Sequence, residues 1–445
     1  IQADALRTLG QRDRALALLE SLTRVSGLDE GTRALAAQIR GLILVSVNRH
    51  DAAEADFRTA LAWGKPPVDV DLVRVRLIRA AYSAGHDRVA FENLQKLCQT
   101  RVTVPVLPGL VYELALKRYD DGYPQAAVPY FLLLPEYFPG HYRADDALGY
   151  AAVSLGTTTA DGKKLLARLK QRYPHSFFLY WLDESSRASG LPSGGAAKAT
   201  VPNWAAKRLP AWKILLKSDF AGWARDEIRQ MQDEHPLEPG LFQVLMQIYE
   251  QAGDYNQVTA CGERYLKNLL DAGKSAGDMP RWAWEGYYPR PFWAKVQAEA
   301  KKNGLDPFWV LSIMREESHF NPQTLSRSNA MGLMQILPST GKWIAGKLGI
   351  KGKFNKDSLW DVARNISFGS WYLAYLRDLF NGDLFLAAAA YNGGQGNIQR
   401  KVEAGPHSGL PVLSRLDRVP LPETRDYYKK VMGSWWNYRR LYGKN

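Results

Sequence analysis

Cysteine is almost missing from this chain: Cys98 and Cys261 are the only two in 445 residues. A disulfide-stapled scaffold and a Cys-rich zinc module are both excluded. Two free, buried thiols are the expectation for the pair. Long apolar runs are lacking too. The longest, Leu384 to Tyr391, falls far short of the about eighteen residues of a membrane span. Strand-like alternation is nearly absent, which leaves all-α as the fold class. No calcium-loop pattern and no second histidine at zinc spacing occur, so no metal and no cofactor are expected. Acidic residues are the short side of the charge balance, 45 Asp+Glu against 58 Lys+Arg, a formal net charge of +13. Such an excess favours nucleic acid, an anionic membrane surface or an acidic polymer as partner. No nucleic-acid motif accompanies it, which ranks nucleic acid low.

What is present first is a weak repeat. Helical stretches pause at short turns containing Gly10, Arg49, Gly85, Gly122 and Gly156, at steps of 39, 36, 37 and 34 residues. A similar turn surrounds Gly253. Each pause separates two helices, a hairpin near the tetratricopeptide length. A lone hairpin cannot bury its apolar face, so the units are expected to stack into an α-solenoid. A non-repetitive helical bundle is the alternative. Gly190 to Asn203 is Gly/Pro/Ser-rich and reads as a linker, and a second break spans Gly277 to Pro291. The expected division is a solenoid over 1–203, a helical connector over 204–280 and a compact domain over 281–445.

The chemistry concentrates after Tyr288. Asp306-Pro307 can cap and open a helix that runs from Phe308 to the adjacent carboxylates Glu316 and Glu317. Neighbouring helical residues point about 100° apart, so at most one of the two faces a shared cleft. The residues alone leave both open. Next come Gly332-Leu333-Met334-Gln335, then Ala390-Tyr391-Asn392 stopped by two glycines, then Glu423-Thr424-Arg425-Asp426-Tyr427 at the head of the last helix.

In this order and spacing, the four blocks resemble the catalytic domain of soluble lytic transglycosylases, which has a goose-type lysozyme-like fold. Asn365-Ile366, Gly369 and Tyr372-Leu373 fit as intermediate landmarks. The resemblance covers roughly Tyr288 to Tyr442, about a third of the chain. It implies cleavage of peptidoglycan glycan strands between N-acetylmuramic acid and N-acetylglucosamine, without water, leaving 1,6-anhydromuramyl ends. It places the general acid/base on Glu317 and substrate contacts on Ser326, Gln335, Leu337, Tyr391, Asn392 and Glu423. Tyr391 is implied to bond near the catalytic carboxylate or the substrate acetamide. Leu337 stands where several members carry Met. The doubled Glu316-Glu317 departs from the usual neutral residue before the acid, and a Glu316 near the cleft would raise the pKa of Glu317. The resemblance also implies a periplasmic protein, soluble or peripherally associated with the cell wall or outer membrane, with a signal peptide removed. A start at Ile1 rather than Met suits that. The solenoid could take cell-wall synthesis or turnover proteins.

Blander roles stand beside these. Glu316 reads as a solvated helix residue, Ser318 as a cap or packing group, and His319 as structural. Met334 and Leu337 are core or subsite lining, Trp435-Trp436 core and interface, and Arg425 a brace for the fold paired with a carboxylate. Two other activities stay open: a lysozyme-like hydrolase of the same bond, and a non-catalytic peptidoglycan-binding scaffold built on the solenoid. Charge adds one regional fact. Gly286 to Asn445 holds 23 Lys+Arg and 12 Asp+Glu, so nearly all the basic surplus sits with the motifs.

Overall fold

The structure is a computed structural model. It describes residues 8, 10–23, 25, 27–64, 66, 68–100, 104–187, 189–194, 199–352, 354–405, 409, 412–417 and 419–443. The expected processed start at Ile1 and residues 195–198 of the expected linker lie outside the described residues. The described residues form helices, turns and isolated β-bridges but no strand, so the fold is all-α. Two compact units divide at Leu155 and Gly156: Ile1–Leu155 and Gly156–Asn445. The compositional breaks at 203 and 280 both fall inside the second unit.

The first unit is a run of antiparallel hairpins: α1 (Arg12–Thr23), α2 (Glu30–Ser46), α3 (His50–Trp63), α4 (Val70–Ser83), α5 (Asp87–Gln99), α6 (Leu107–Asp120), α7 (Pro124–Tyr137) and α8 (Ala144–Leu155). Each helix packs on the next in the series, as a solenoid requires. The turns work because one residue in each takes a left-handed conformation: Gly85 at φ 81° and Gly122 at φ 91°, with Asn48 at φ 58° in the same role. Ala34, Ala37, Leu44, Ala53, Phe57 and Ala60 form the α2–α3 core. Gly41 is required there, because a Cβ would lie 2.7 Å from the Phe57 ring. Neighbouring hairpins are also tied by charge. Glu54 of α3 accepts from His86 in the next turn at 2.5 Å, and that hydrogen bond raises the His86 pKa. Cys98 here and Cys261 in the second unit are free and buried, and burial pushes both thiols up to about 12.

The second unit opens with α9 (Ala160–Arg172), α10 (Phe177–Leu182) and α11 (Glu184–Arg187). Two hairpins follow: α12 (Asn203–Leu215) with α13 (Ala221–Glu234), and α14 (Pro239–Gln251) with α15 (Tyr255–Asp271). Then come α16 (Arg281–Tyr287), α17 (Trp293–Lys302), α18 (Pro307–Ser318), α19 (Pro338–Lys347), α20 (Val362–Leu379), α21 (Leu384–Gly393), α22 (Gln395–Ile398), α23 (Val412–Asp417) and α24 (Pro422–Tyr442). Before α12, the described residues 190–194 lie outside any helix and are pinned. Gly194 N–H donates to the Met279 carbonyl at 2.9 Å, and Trp284 Nε1 to the Pro192 carbonyl at 3.1 Å.

Helix α24 is the hub. It packs on α18, α21 and α10 through buried Tyr428, Val431, Met432, Trp436, Tyr438 and Leu441. Its polar side chains reach backbone carbonyls on the segment around α10 and α11. Asn437 donates to His175 O at 2.8 Å, and Arg440 to Pro174 O at 2.7 Å and to Ser189 O and Gly190 O at 2.9 Å each. His175 packs half-buried against Trp284, and desolvation there drops its pKa to about 3. Trp436 is core, as expected, while Trp435 Nε1 donates to the N-cap Asp306 at 2.9 Å. Arg425 braces the fold from a buried position, donating to the Asp417 carbonyl at 2.9 Å.

Candidate active site

Glu317 owes its place to both ends of α18. At the start, the Asp306 side chain accepts from Phe308 N at 2.8 Å and Pro307 occupies the first turn. Trp309, Val310, Leu311, Ile313 and Met314 are buried, which fixes the rotation of the helix. At the end, His319 and Phe320 take left-handed conformations, φ 47° and 63°. Backbone strain of this kind costs about 1–3 kcal/mol per residue and has to be offset by surrounding contacts. One such contact is Ser318, whose hydroxyl bonds the Leu333 carbonyl at 2.8 Å and couples the helix end to the Gly-Leu-Met-Gln loop.

That loop is held by a residue not assigned any role from sequence. Asn365, buried on α20, accepts from Met334 N at 2.8 Å and donates to Met331 O at 2.9 Å and Leu359 O at 2.8 Å. The fit is tight. Gly332 sits at φ 77°, and a Cβ on it would lie 2.4 Å from Asn365 Nδ2. The Tyr391 hydroxyl closes the same loop by donating to Met334 O at 2.8 Å. Its bond in this structure is to the loop backbone, where the resemblance implied one near the catalytic carboxylate or the substrate acetamide.

The direct partner of Glu317 is Tyr427, whose hydroxyl donates to Oε1 at 2.6 Å. Tyr427 belongs to the last motif, four residues after Glu423 and so on the same face of α24. That spacing was the available signal. Burial lifts the Glu317 pKa to about 8, the Tyr427 bond pulls it down, and the charges of Glu316 and Glu423 push it up. The raised pKa favours the proton-bearing carboxyl near neutral pH, with its basic conjugate form close above it.

Glu316 is not a solvated helix residue. Its side chain is 8% exposed and pairs with Arg315, itself 5% exposed, at 2.7 Å. Arg315 also bonds Glu263 of α15 at 3.0 Å and lies over the Tyr287 ring, and Ser434 of α24 reaches Glu316 at 3.1 Å. Glu316 is buried, and the pull of Arg315 keeps its pKa below the ordinary carboxylate value. The two adjacent carboxyls are thus held in opposite states: an anion fixed by an arginine, and a neutral acid packed against tyrosines.

The remaining candidates divide by what their atoms already do. Ser326 Oγ accepts from Ala330 N at 2.9 Å, leaving its O–H to donate. Gln335, at φ 45°, donates both amide hydrogens to Thr324 O and Gly332 O, leaving its carbonyl as acceptor. Asn392 Oδ1 accepts from Thr424 at 2.8 Å, leaving its NH₂ to donate. Leu337 is exposed and Met334 fully buried, so the first is surface and the second is core. Glu423 is exposed in the first turn of α24. Among the described residues, no group of three or more His, Cys, Asp or Glu side chains could hold a metal ion.

Residues 295–409 match the family model of the transglycosylase SLT domain. That part of the chain is similar to the transglycosylase SLT domain. A membrane-bound lytic murein transglycosylase C of Edwardsiella ictaluri (strain 93-146) is 32% identical over 164 residues, 33% of this chain and 46% of that protein. The chain thus spans less than half the length of this curated relative. Among solved structures, an inactive mutant of the lytic transglycosylase Slt from Pseudomonas aeruginosa aligns with a TM-score of 0.58 at 19% identity, covering 100% of this chain and 70% of that one. The 70-kDa soluble lytic transglycosylase in complex with bulgecin A gives 0.56 at 18%, covering 97% and 66%. The chain has the fold of the soluble lytic transglycosylases.

Proposed function

We propose that the protein is a peptidoglycan lytic transglycosylase with Glu317 as its single acid and base. The observation that carries this reading is the setting of Glu317: half-buried at the end of α18 and bonded by the Tyr427 hydroxyl at 2.6 Å, with burial raising its pKa to about 8. A neutral carboxyl can protonate a glycosidic oxygen as general acid. Positive charge then develops at muramic C1, and the substrate's own acetamido oxygen is placed to stabilise it, as in substrate-assisted glycosidases. Glu317, now an anion, takes the proton from the muramic C6 hydroxyl as that oxygen bonds to C1. The glycosidic bond breaks, the C6–O–C1 bond forms, and the proton returns to Glu317. Water takes no part.

Ser326, Gln335 and Asn392 offer a donor, an acceptor and a donor, a set suited to acetamido and hydroxyl groups. Glu423 and Leu337 complete the substrate contacts from exposed positions, and Tyr391 sets the loop beneath them. The basic surplus of the C-terminal region draws in a polymer bearing lactyl and stem-peptide carboxylates, so turnover on cell walls should fall as salt is added. The substrate places the protein in the periplasm or at the cell wall. No helix among the described residues is long and apolar enough to cross a membrane. The solenoid offers a surface for cell-wall synthesis or turnover proteins.

The test is mass analysis of products from purified peptidoglycan. Muropeptides one water lighter than hydrolysis products, absent with Glu317→Gln, are expected. Reducing muramyl ends would overturn the reading in favour of a hydrolase. A silent chain would overturn it in favour of a scaffold.

A further inference from the structure

Two tryptophans in the SLT region are absorbed by nothing described so far. Trp371 and Tyr375 lie one helical turn apart on α20 and stack at 5.8 Å with planes 10° apart. Tyr372 stacks on Tyr375 at 6.2 Å and 12°. Trp343 of α19 meets Tyr375 edge-on at 5.0 Å and Trp371 at 5.5 Å. All four rings are half-buried. The series does not end in the core. Tyr372 contacts Tyr391 at 5.5 Å, so the rings continue directly from the candidate active site. Leu337 immediately precedes α19, and Trp343 lies about 9 Å further along the helix axis.

We propose that Trp343, Trp371 and Tyr375 form an accessory glycan platform, on which a sugar residue of the same strand stacks remote from the bond being cut. This rests on the reading of the site as a glycan-cleaving centre. Half-buried rings held by one another suit the apolar face of a pyranose, and they lose little side-chain freedom when they bind one. The charged partner of the cluster is Lys347, whose ammonium lies 5.9 Å from the centre of the Trp343 ring. A cation there complements the lactyl and peptide carboxylates of a muramyl strand. The platform predicts a dependence on chain length, because only a strand long enough to span from Tyr391 to Trp343 engages it.

The experiment uses the full chain carrying Glu317→Gln and two probes, the N-acetylglucosamine dimer and hexamer, titrated by calorimetry and tryptophan fluorescence. The hexamer is expected to bind more tightly than the dimer and to perturb the emission. Trp371→Leu, which keeps apolar bulk without a ring, and Trp343→Leu should each weaken the hexamer about tenfold, the effect of about 1.4 kcal/mol of ring stacking. Trp371→Phe should restore most of it, which excludes misfolding as the cause. Equal affinity for the two probes, or hexamer binding unchanged in both Leu variants, overturns the platform. Product analysis on the parent chain reports on the catalytic reading separately. Anhydro products with no length dependence would sink the platform alone. Length-dependent binding without anhydro products would sink the chemistry alone.

Discussion

The Tyr427 hydroxyl donates to Glu317 Oε1 at 2.6 Å across α24 and α18. This bond favours the ionised carboxyl, so it opposes the burial that holds the proton in place. Tyr427→Phe keeps the ring and removes the bond. The Glu317 pKa should then rise, moving the alkaline limb of the activity profile upward. Turnover at neutral pH should fall about tenfold, as losing one charge-assisted hydrogen bond implies. A limb that stays in place would mean the bond is absent in the working enzyme.

Glu316→Gln should move the same limb the other way. Glu316 is a like charge beside Glu317 and raises its pKa, so its removal lowers it. The substitution also leaves Arg315 buried with Glu263 as its remaining ion-pair partner. Breaking a buried pair costs about 3 kcal/mol. Urea unfolding and the pH–rate profile measure the two effects independently, and an upward shift of the limb would contradict the geometry.

Glu317 itself is a cost to stability. Its folded pKa is about 8 against an ordinary 4.5, so between these values the folded chain binds more protons than the unfolded one. Stability is then lost as pH rises through that window, at up to about 1.4 kcal/mol per pH unit. Glu317→Gln should abolish turnover and raise the urea midpoint, with the gain growing from pH 4.5 to 8. A variant less stable than the parent at pH 8 would refute this.

His175 has the opposite slope. Its folded pKa is about 3 against 6.5, so the unfolded chain takes up the extra proton and stability is lost as pH falls from 6.5 toward 3. His175→Leu should flatten the acid limb of the second unit's unfolding. Above pH 6.5 only the Glu317 slope of this pair remains.

Asn365→Ala removes three hydrogen bonds, two of them to the 331–335 loop and one to Leu359, and should cost about 3 kcal/mol. Asn365→Asp should not rescue it, because a carboxylate would face the carbonyls of Met331 and Leu359. Thermal melts of both variants check this, and a stable Asp variant would show that the loop does not need the amide.

Much of this was legible in the sequence because it is written in local patterns. The hairpin turns announced themselves through Gly85 and Gly122, where a left-handed backbone is needed, and α18 through Asp306-Pro307. The four motif blocks pointed to one site. What stayed hidden depends on residues far apart in sequence. Nothing near Glu316 reveals that Ser434 and Glu263 converge on the Arg315 pair, so an acid that looked solvated is buried. The resemblance put Tyr391 near Glu317, and only the packing of α24 on α18 brings the Tyr427 hydroxyl to it. The compositional break at 190–203 looked like a joint, but the Gly194 N–H on Met279 and the Trp284 indole on Pro192 hold its first residues.

The ties from α24 to the segment around α10 end on main-chain oxygens: Asn437 on His175, Arg440 on Pro174, Ser189 and Gly190. A carbonyl is present whatever residue carries it. The segment can therefore accept substitutions at these acceptor positions while the attachment survives, whereas Asn437 and Arg440 cannot be exchanged. Tolerance to mutation across this contact should be one-sided, with the donor helix constrained in identity and the acceptor strap constrained only in path.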